Sequence, residues 1–346
     1  MPLSLNPLEK LYLLGMNAGP GPMLDVMGGF SFYAVSAAVR LGLFEKLGDD
    51  ALTPGELARA LGCDGKGMTV LLEVLLPLGY VRRKGDAYSN SSMTRKWLLP
   101  SSPHDISDAF RYYHETMAEL WPHIDESVRK GAPHIHFYDW LKERPGAAES
   151  YQRFMMKGSA MILSELSRAL KLPKSCRSVI DVGGGHGAYA VAAAKKRAGI
   201  AVTVFDSAYS KDVAEKNIAD NGLADRVRFV TGDYLADPLP GRCDAAFLFN
   251  VIHQHREGEI IALLKKIHGA LDPGGALFLL DSFREMRMRG LGGAFVRLYG
   301  IVHFHFLGGD NHRYEEVLGW LREAGFGKIK RKKLLRSGMC LLRAAR

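Results

Sequence analysis

From residue 177 onward, five apolar runs (RSVIDVGGG, AVTVFD, RVRFVTGD, CDAAFLFNVI and GALFLLDSF) alternate with stretches of helical spacing. Strands separated by helices pair in parallel, because a parallel pair needs a crossover connection. Near-continuous apolarity predicts a sheet covered by helices on both faces. The tail FGKIKRKKLLRSGMCLLRAAR breaks this pattern. Two runs flank Ser337-Gly338 with no helix between them, which predicts an antiparallel hairpin on the sheet edge. The expected fold class is α/β, a doubly wound sheet ending in a hairpin and preceded by a mainly helical domain.

That helical part has its own pattern. FSFYAVSAAVRLGLFEKLG carries apolar residues at helical spacing. Thr53-Pro54-x-Glu56 then supplies a cap, a first-turn proline and an acid near a helix N-terminus. Two helices separated by GCDGKG, then GYVRRKGDAYS turning at Gly85-Asp86, make a winged helix-turn-helix pattern. The second helix, GMTVLLEVLLPLGYV, is almost bare of basic and amide side chains, so it offers little to phosphates or base edges. Packing or dimerisation is the better use, and no nucleic-acid partner is expected. The chain is expected to divide into residues 1–105, a winged-helix domain for packing or dimerisation, 106–170, a helical region, and 171–346, the sheet.

The bend after the first strand, DVGGGHG, lies where a doubly wound sheet binds its ligand. Asp181 is expected to end the strand, with Gly183, Gly184 and Gly185 forming the turn so that backbone can approach a ligand closely. A dinucleotide site keeps its strand end apolar beside the pyrophosphate. A carboxylate there repels a pyrophosphate and attracts a cation, so the bend points to a cationic ligand. Asp206 ends the second strand about 20 residues on, placed to accept ribose hydroxyls. Asp233 and Tyr234 end the third, placed to bond and stack on an adenine. Each aspartate also has a plain capping role open to it.

The chain has 346 residues, 47% hydrophobic and 24% charged, as in a globular protein. MPLSLNPLEKLYLLG lacks the pattern of a secretory signal, and no apolar run approaches spanning length, so no membrane partner is expected. Four scattered cysteines fit a reducing cytoplasm and show no metal-ligand spacing. The net charge of +9 includes KIKRKKLLR, read as the solvated face of an edge strand, and favours an anionic small-molecule acceptor.

Taken together, RLGLFEKL, TPGELARALG, VIDVGGGHGAYA, VTVFD, RVRFVTGDYL, FNVIHQH, ALDPGGALFLLD and EEVLGWLREAGF resemble the class I S-adenosylmethionine-dependent methyltransferases. Over residues 25–340 the chain is similar to the small-molecule O-methyltransferases with an N-terminal winged-helix dimerisation domain and a Rossmann-like catalytic sheet. The resemblance implies a homodimer that uses S-adenosyl-L-methionine. It implies that Asp181, Gly183, Gly184, Gly185, Asp206, Asp233, Tyr234, Asn250 and Ser159 hold that cofactor, with Ser159 toward its carboxylate. It further implies that Tyr151 and Met155 face the acceptor and that His253 is the general base.

An imidazole suits proton removal near neutral pH. The family usually writes His-Asp at this point, where this chain has His253-Gln254. It often writes Gly-Gly-x-Glu later, where LGGDNHRYEEV has Asn311. With no carboxylate in evidence for its second nitrogen, His253 is expected to be a weaker base. Two acceptors follow: an acidic hydroxyl such as a phenol, or a thioether with no proton to lose, as in the S-methyltransferase branch. Tyr299, His303 and Asn311 are expected around the acceptor, with His303 and His305 sharing one face of an extended segment. Tyr113 and His114 are candidates from the preceding helices, and no metal site is expected. A winged-helix regulator with a sensor domain, or a family member that decarboxylates or hydroxylates, remains an alternative.

Overall fold

A computed structural model describes residues 5–285 and 291–346. The contacts divide the chain into two units, Met1–Glu119 with Glu149–Lys157, and Leu120–Ala148 with Gly158–Arg346.

In the first unit, Thr53 and Glu56 form the expected capping box, each side chain bonding the other's backbone amide, before the helix Pro54–Leu61. Asp64 caps the next helix, Gly65–Leu75, through the Gly67 amide at 2.8 Å. That helix buries Met68, Leu72 and Leu75, four and three residues apart, against Leu43, Phe44, Leu47 and Leu57. Strands β1 (Ala51–Leu52), β2 (Val81–Lys84) and β3 (Ala87–Asn90) form a small antiparallel sheet in the order β1-β3-β2. Trimming Leu72 to alanine would remove about 2–5 kcal/mol from this core. The helix Met23–Arg40 buries Val35, Ala38 and Val39, while Met23, Val26, Met27, Phe30 and Tyr33 stay exposed, Phe30 to 70%.

The second unit is built on β4 (Ser178–Val182), β5 (Ala201–Asp206), β6 (Val227–Thr231), β7 (Cys243–Phe249), β8 (Leu271–Asp281), β9 (Gly327–Lys333) and β10 (Cys340–Ala345). Their order is β6-β5-β4-β7-β8-β10-β9, the first five parallel and β10 antiparallel to both neighbours. Alternate residues fill opposite faces, which is why the strands read as continuous apolar runs. Val179, Val202, Phe247, Phe249 and Phe278 pack with Ala190, Ala194 and Ile218 on one face. Ile180, Ala246, Leu248 and Leu279 pack with Ile260, Leu264 and Leu321 on the other. The basic run lies on β9, an edge strand whose charged, exposed side chains discourage further pairing. The strand order reverses at the β4–β7 boundary, and because the five strands are parallel, the carboxyl ends of β4 to β8 share one rim.

One element differs from expectation. Residues around His303 and His305 form a helix, Leu291–Leu307, rather than an extended segment. Residues two apart on a helix point to nearly opposite sides, so the two histidines do not share a face. The period-two alternation of VHFHF mimicked a strand inside a helix that is apolar nearly all round. Among the described residues, no helix is long and apolar enough to cross a membrane.

Candidate active site

The bend after β4 is crowded from within. Asp181 is the penultimate strand residue, not the last, and its side chain is fully buried. Gly183 has φ 68°, and a Cβ there would lie 2.7 Å from Val251 Cγ2. A Cβ on Gly184 would sit 2.8 Å from the Asp181 carboxyl carbon and 2.9 Å from Val204 Cγ1. Packing of the protein against itself therefore demands these two glycines. At Gly185 the space is open, with Asp206 Oδ2 the nearest atom to a built Cβ at 4.0 Å, so the backbone there can be approached closely.

Neither Asp181 carboxylate oxygen has a hydrogen-bond partner. Burial, and then the charge of Asp206, push its carboxyl up to about 7. A buried carboxylate in this state gains from a nearby positive charge and loses from a phosphate, which supports the cationic ligand read from sequence. Asp206 accepts from the Gly185 amide at 2.7 Å and, through its other oxygen, from Ser207 at 2.6 Å. Each oxygen keeps a further acceptor position for a hydroxyl. Burial raises its pKa as well.

On the third strand end, Asp233 accepts from the Leu235 amide at 2.8 Å, so the plain turn-forming role is filled. Tyr234 is held at its hydroxyl by His255 Nε2, 2.9 Å away. Burial pushes His255 down to about 4, so its neutral ring accepts the tyrosine proton. His255 thus supports the Tyr234 ring, a role the sequence left blank.

Asn250 follows β7 with φ 58°, a left-handed conformation that asparagine tolerates. Its side-chain amide donates to Tyr189 Oη at 3.0 Å. The turn Ile252–Gln254 then delivers His253. His312 Nε2 holds this turn from beneath, within 3.0 Å of the Ile252 carbonyl and 3.1 Å of the His255 carbonyl.

The carboxylate missing from the sequence reading is present. His253 Nδ1 lies 2.9 and 3.1 Å from the two oxygens of Asp281, the last residue of β8. Register explains the meeting: Phe249 pairs with Leu280, so the chain leaving β7 runs beside Asp281. Asp281 is buried and also accepts from the Ser282 amide at 2.8 Å. The expectation of an unsupported histidine is therefore corrected. Gln254, where an acid was sought, bridges Tyr138 Oη and the Asn250 carbonyl. A strand-end aspartate beside the histidine's own strand was the signal that could have found Asp281.

The other face of the site comes from the helix Leu291–Leu307. The His303 ring stacks on His253 at 4.0 Å between centroids, 20° from parallel. Burial, and then His253, push His303 down to about 2, so it is neutral. Its Nδ1 faces Asn311 Oδ1 at 3.2 Å, an oxygen that Ser282 Oγ also approaches at 3.4 Å. Tyr299 lies edge-on to His303 at 6.0 Å. His305 turns away, to Ser127 Oγ at 2.8 Å and the Leu120 carbonyl at 2.9 Å.

Within the first unit, Tyr113 and Tyr151 share an aromatic cluster with Tyr112 and Phe154. His114 is engaged by Arg40 at 2.6 Å. Met155 is half-buried on the same long helix, Pro145–Ala169, and Ser159 is buried one turn on.

Residues 116–327 match the O-methyltransferase domain, and residues 24–100 match the O-methyltransferase dimerisation domain. The tetracenomycin polyketide synthesis 8-O-methyl transferase of Streptomyces glaucescens is 27% identical, over 90% of this chain and 93% of its own. The 3-hydroxy-5-methyl-1-naphthoate 3-O-methyltransferase of Streptomyces sahachiroi is 26% identical, over 86% of each chain. The crystal structure of human N-acetylserotonin methyltransferase in complex with SAM shares the fold, with a TM-score of 0.82 at 22% identity over 100% of this chain and 99% of that one. With these matches spanning both units, the chain belongs to the S-adenosylmethionine-dependent small-molecule O-methyltransferase family.

Proposed function

We propose that the protein methylates an aromatic hydroxyl of a small molecule, with His253 as general base and Asp281 as its supporting carboxylate. The His253–Asp281 contact at 2.9 Å carries this reading. With Nδ1 bonded to the carboxylate, Nε2 is the nitrogen free to receive a hydroxyl proton, and Asp281 faces the imidazolium that results. A thioether sulfur has no proton to give up, so such a pair would be idle in S-methylation. The pair therefore favours oxygen as the acceptor atom.

When bound, S-adenosylmethionine supplies the electrophilic methyl group. Gly183, Gly184, Gly185 and Ser159 would hold its amino-acid part in the field of Asp181, Asp206 its ribose, and Asp233 with Tyr234 its adenine. The unpartnered Asp181 carboxylate supports this placement of positive charge. Asn250 contributes through Tyr189, which it orients.

Tyr299, His303 and Asn311 would line the acceptor side. The stacked rings of His253 and His303 offer a flat π surface to an aromatic acceptor. With the Nδ1 proton of His303 directed to Asn311, its Nε2 is an acceptor, which suits a second hydroxyl better than a carboxylate at that point. Any anionic group belongs elsewhere on the acceptor, drawn in by the net charge of +9. The relatives named for a polyketide and a hydroxynaphthoate agree with an aromatic acceptor.

Assembly as a homodimer is supported by the matched dimerisation domain and by the exposed apolar row from Met23 to Tyr33. The chemistry is tested by offering phenols, hydroxy acids and thioethers with labelled cofactor. Methylation confined to aromatic hydroxyls is expected. Turnover of thioethers alone would overturn the assignment.

A further inference from the structure

Away from the rim of strand ends, a second cluster of titratable side chains is left without a function by the methyl-transfer reading. His123 ends the single turn Trp121–His123, and Glu126 sits on the helix Ile124–Lys130 that follows. Gly131, at φ 67°, ends that helix and sends the chain back along it. The return brings His134 over Glu126, where Ser127 Oγ accepts its backbone amide at 3.2 Å. Both imidazoles aim Nδ1 at one carboxylate, at 3.0 Å for His123 and 2.9 Å for His134. The rings lie face to face, 3.9 Å apart and 5° from parallel.

The geometry points to a three-ligand site for a divalent transition metal of the zinc class, formed by His123 Nδ1, His134 Nδ1 and one oxygen of Glu126. The three ligand atoms already lie within 4.8 Å of one another. Bonds of about 2.0–2.2 Å to such an ion put neighbouring tetrahedral ligands about 3.3 Å apart. The Nδ1 lone pairs lie in the ring planes, so binding would turn the two rings out of their parallel stack until both planes meet at the ion. Nitrogen ligands select the zinc class over magnesium and calcium, which take oxygen. Three protein ligands leave a fourth position for water.

Three donors converge on the Glu126 carboxylate: His123 Nδ1 at 3.0 Å, His134 Nδ1 at 2.9 Å and Lys130 Nζ at 3.3 Å. Lys130 Nζ stands 3.3 Å from Glu126 as a competing charge, but its side chain is 63% exposed and free to swing into water. His123, Glu126 and His134 are 38, 35 and 29% exposed, open enough for an ion to enter. Sequence spacing concealed the site, because the second histidine arrives through a loop rather than along one helix face.

The test is calorimetric titration of the untagged, metal-stripped full-length protein with Zn2+, Co2+, Mg2+ and Ca2+. His123→Ala and His134→Ala are titrated beside it, with circular dichroism and melting curves recorded without metal to show that both variants fold. We expect one Zn2+ or Co2+ per chain, a tetrahedral Co2+ absorption band, and at least a hundredfold loss of affinity in each folded variant. Failure of the wild type to take up Zn2+ would overturn the site. So would undiminished uptake by both variants, or binding of Mg2+ as tight as that of Zn2+. A variant that does not fold passes the decision to Glu126→Gln, for which the same loss is expected.

Discussion

The proposed cofactor end and the proposed acceptor end of the catalytic sheet are built differently. At β4 to β6, the strand-end carboxylates of Asp206 and Asp233 are held by backbone amides. Asp206 is held by its own successor, Ser207, and by Gly185 across one strand boundary. At β7, β8 and the helix Leu291–Leu307, each functional side chain depends on a partner far along the chain. His253 needs Asp281, 28 residues on, and stacks on His303. In the proposed reading, the first end is a receptacle for one ligand, the cofactor. The second is an assembly held by contacts between distant parts of the chain.

This contrast is broken most sharply at His253. His253→Ala should lower kcat by about 10^2 to 10^4, the usual contribution of a positioned base, with cofactor affinity unchanged in calorimetry. A comparable loss of cofactor affinity would show that the two ends are not separable. Asp281→Asn should cost about 10- to 150-fold in kcat, the worth of a hydrogen bond to a charged group, again without loss of cofactor binding. At the opposite end, Asp206→Asn should weaken cofactor binding by about 10- to 30-fold and leave kcat at saturation nearly unchanged. Calorimetry beside saturation kinetics separates the two outcomes.

The smallest effect is a pH dependence. Asp181 titrates at about 7 in the free protein, above the usual carboxylate value. Its protonated form is favoured by folding, so it contributes stability at low pH that is lost as pH rises through about 7. A cationic ligand binds the ionised form. Cofactor affinity should therefore fall by up to about tenfold per unit as pH drops below 7, with about one proton released on binding there. Titrations in buffers of different ionisation enthalpy count that proton. A pH-independent affinity between 5.5 and 8 would remove Asp181 from cofactor recognition.

Legibility in the sequence follows the same division. The alternation of strands and helices, the terminal hairpin, the bend and the aspartates of β5 and β6 are local patterns, and periodicity with turn chemistry reads them directly. Even there, the demand for Gly183 and Gly184 came from Val251 and the Asp181 carboxylate, contacts that spacing does not reveal. The acceptor end was legible only as a set of residue types. Its helix was mistaken for an extended segment because aromatic and histidine residues alternate in an element apolar on most sides. Nothing in the run GALFLLDSF singles out Asp281, and its place beside His253 follows from the parallel register that sets β8 beside β7. His255 and His312 act by holding Tyr234 and the His253 turn, through contacts set by tertiary packing.

The central claim, a histidine base removing an acceptor proton, is tested most directly by single-turnover rates for phenols of graded acidity at fixed pH, in the wild type and in His253→Ala. With the base in place, the wild-type rate should vary little as the phenol becomes less acidic, whereas the variant, restricted to phenolate already ionised in solution, should slow by nearly tenfold for each unit of phenol pKa. Equal rates and parallel slopes for the two proteins would contradict the account.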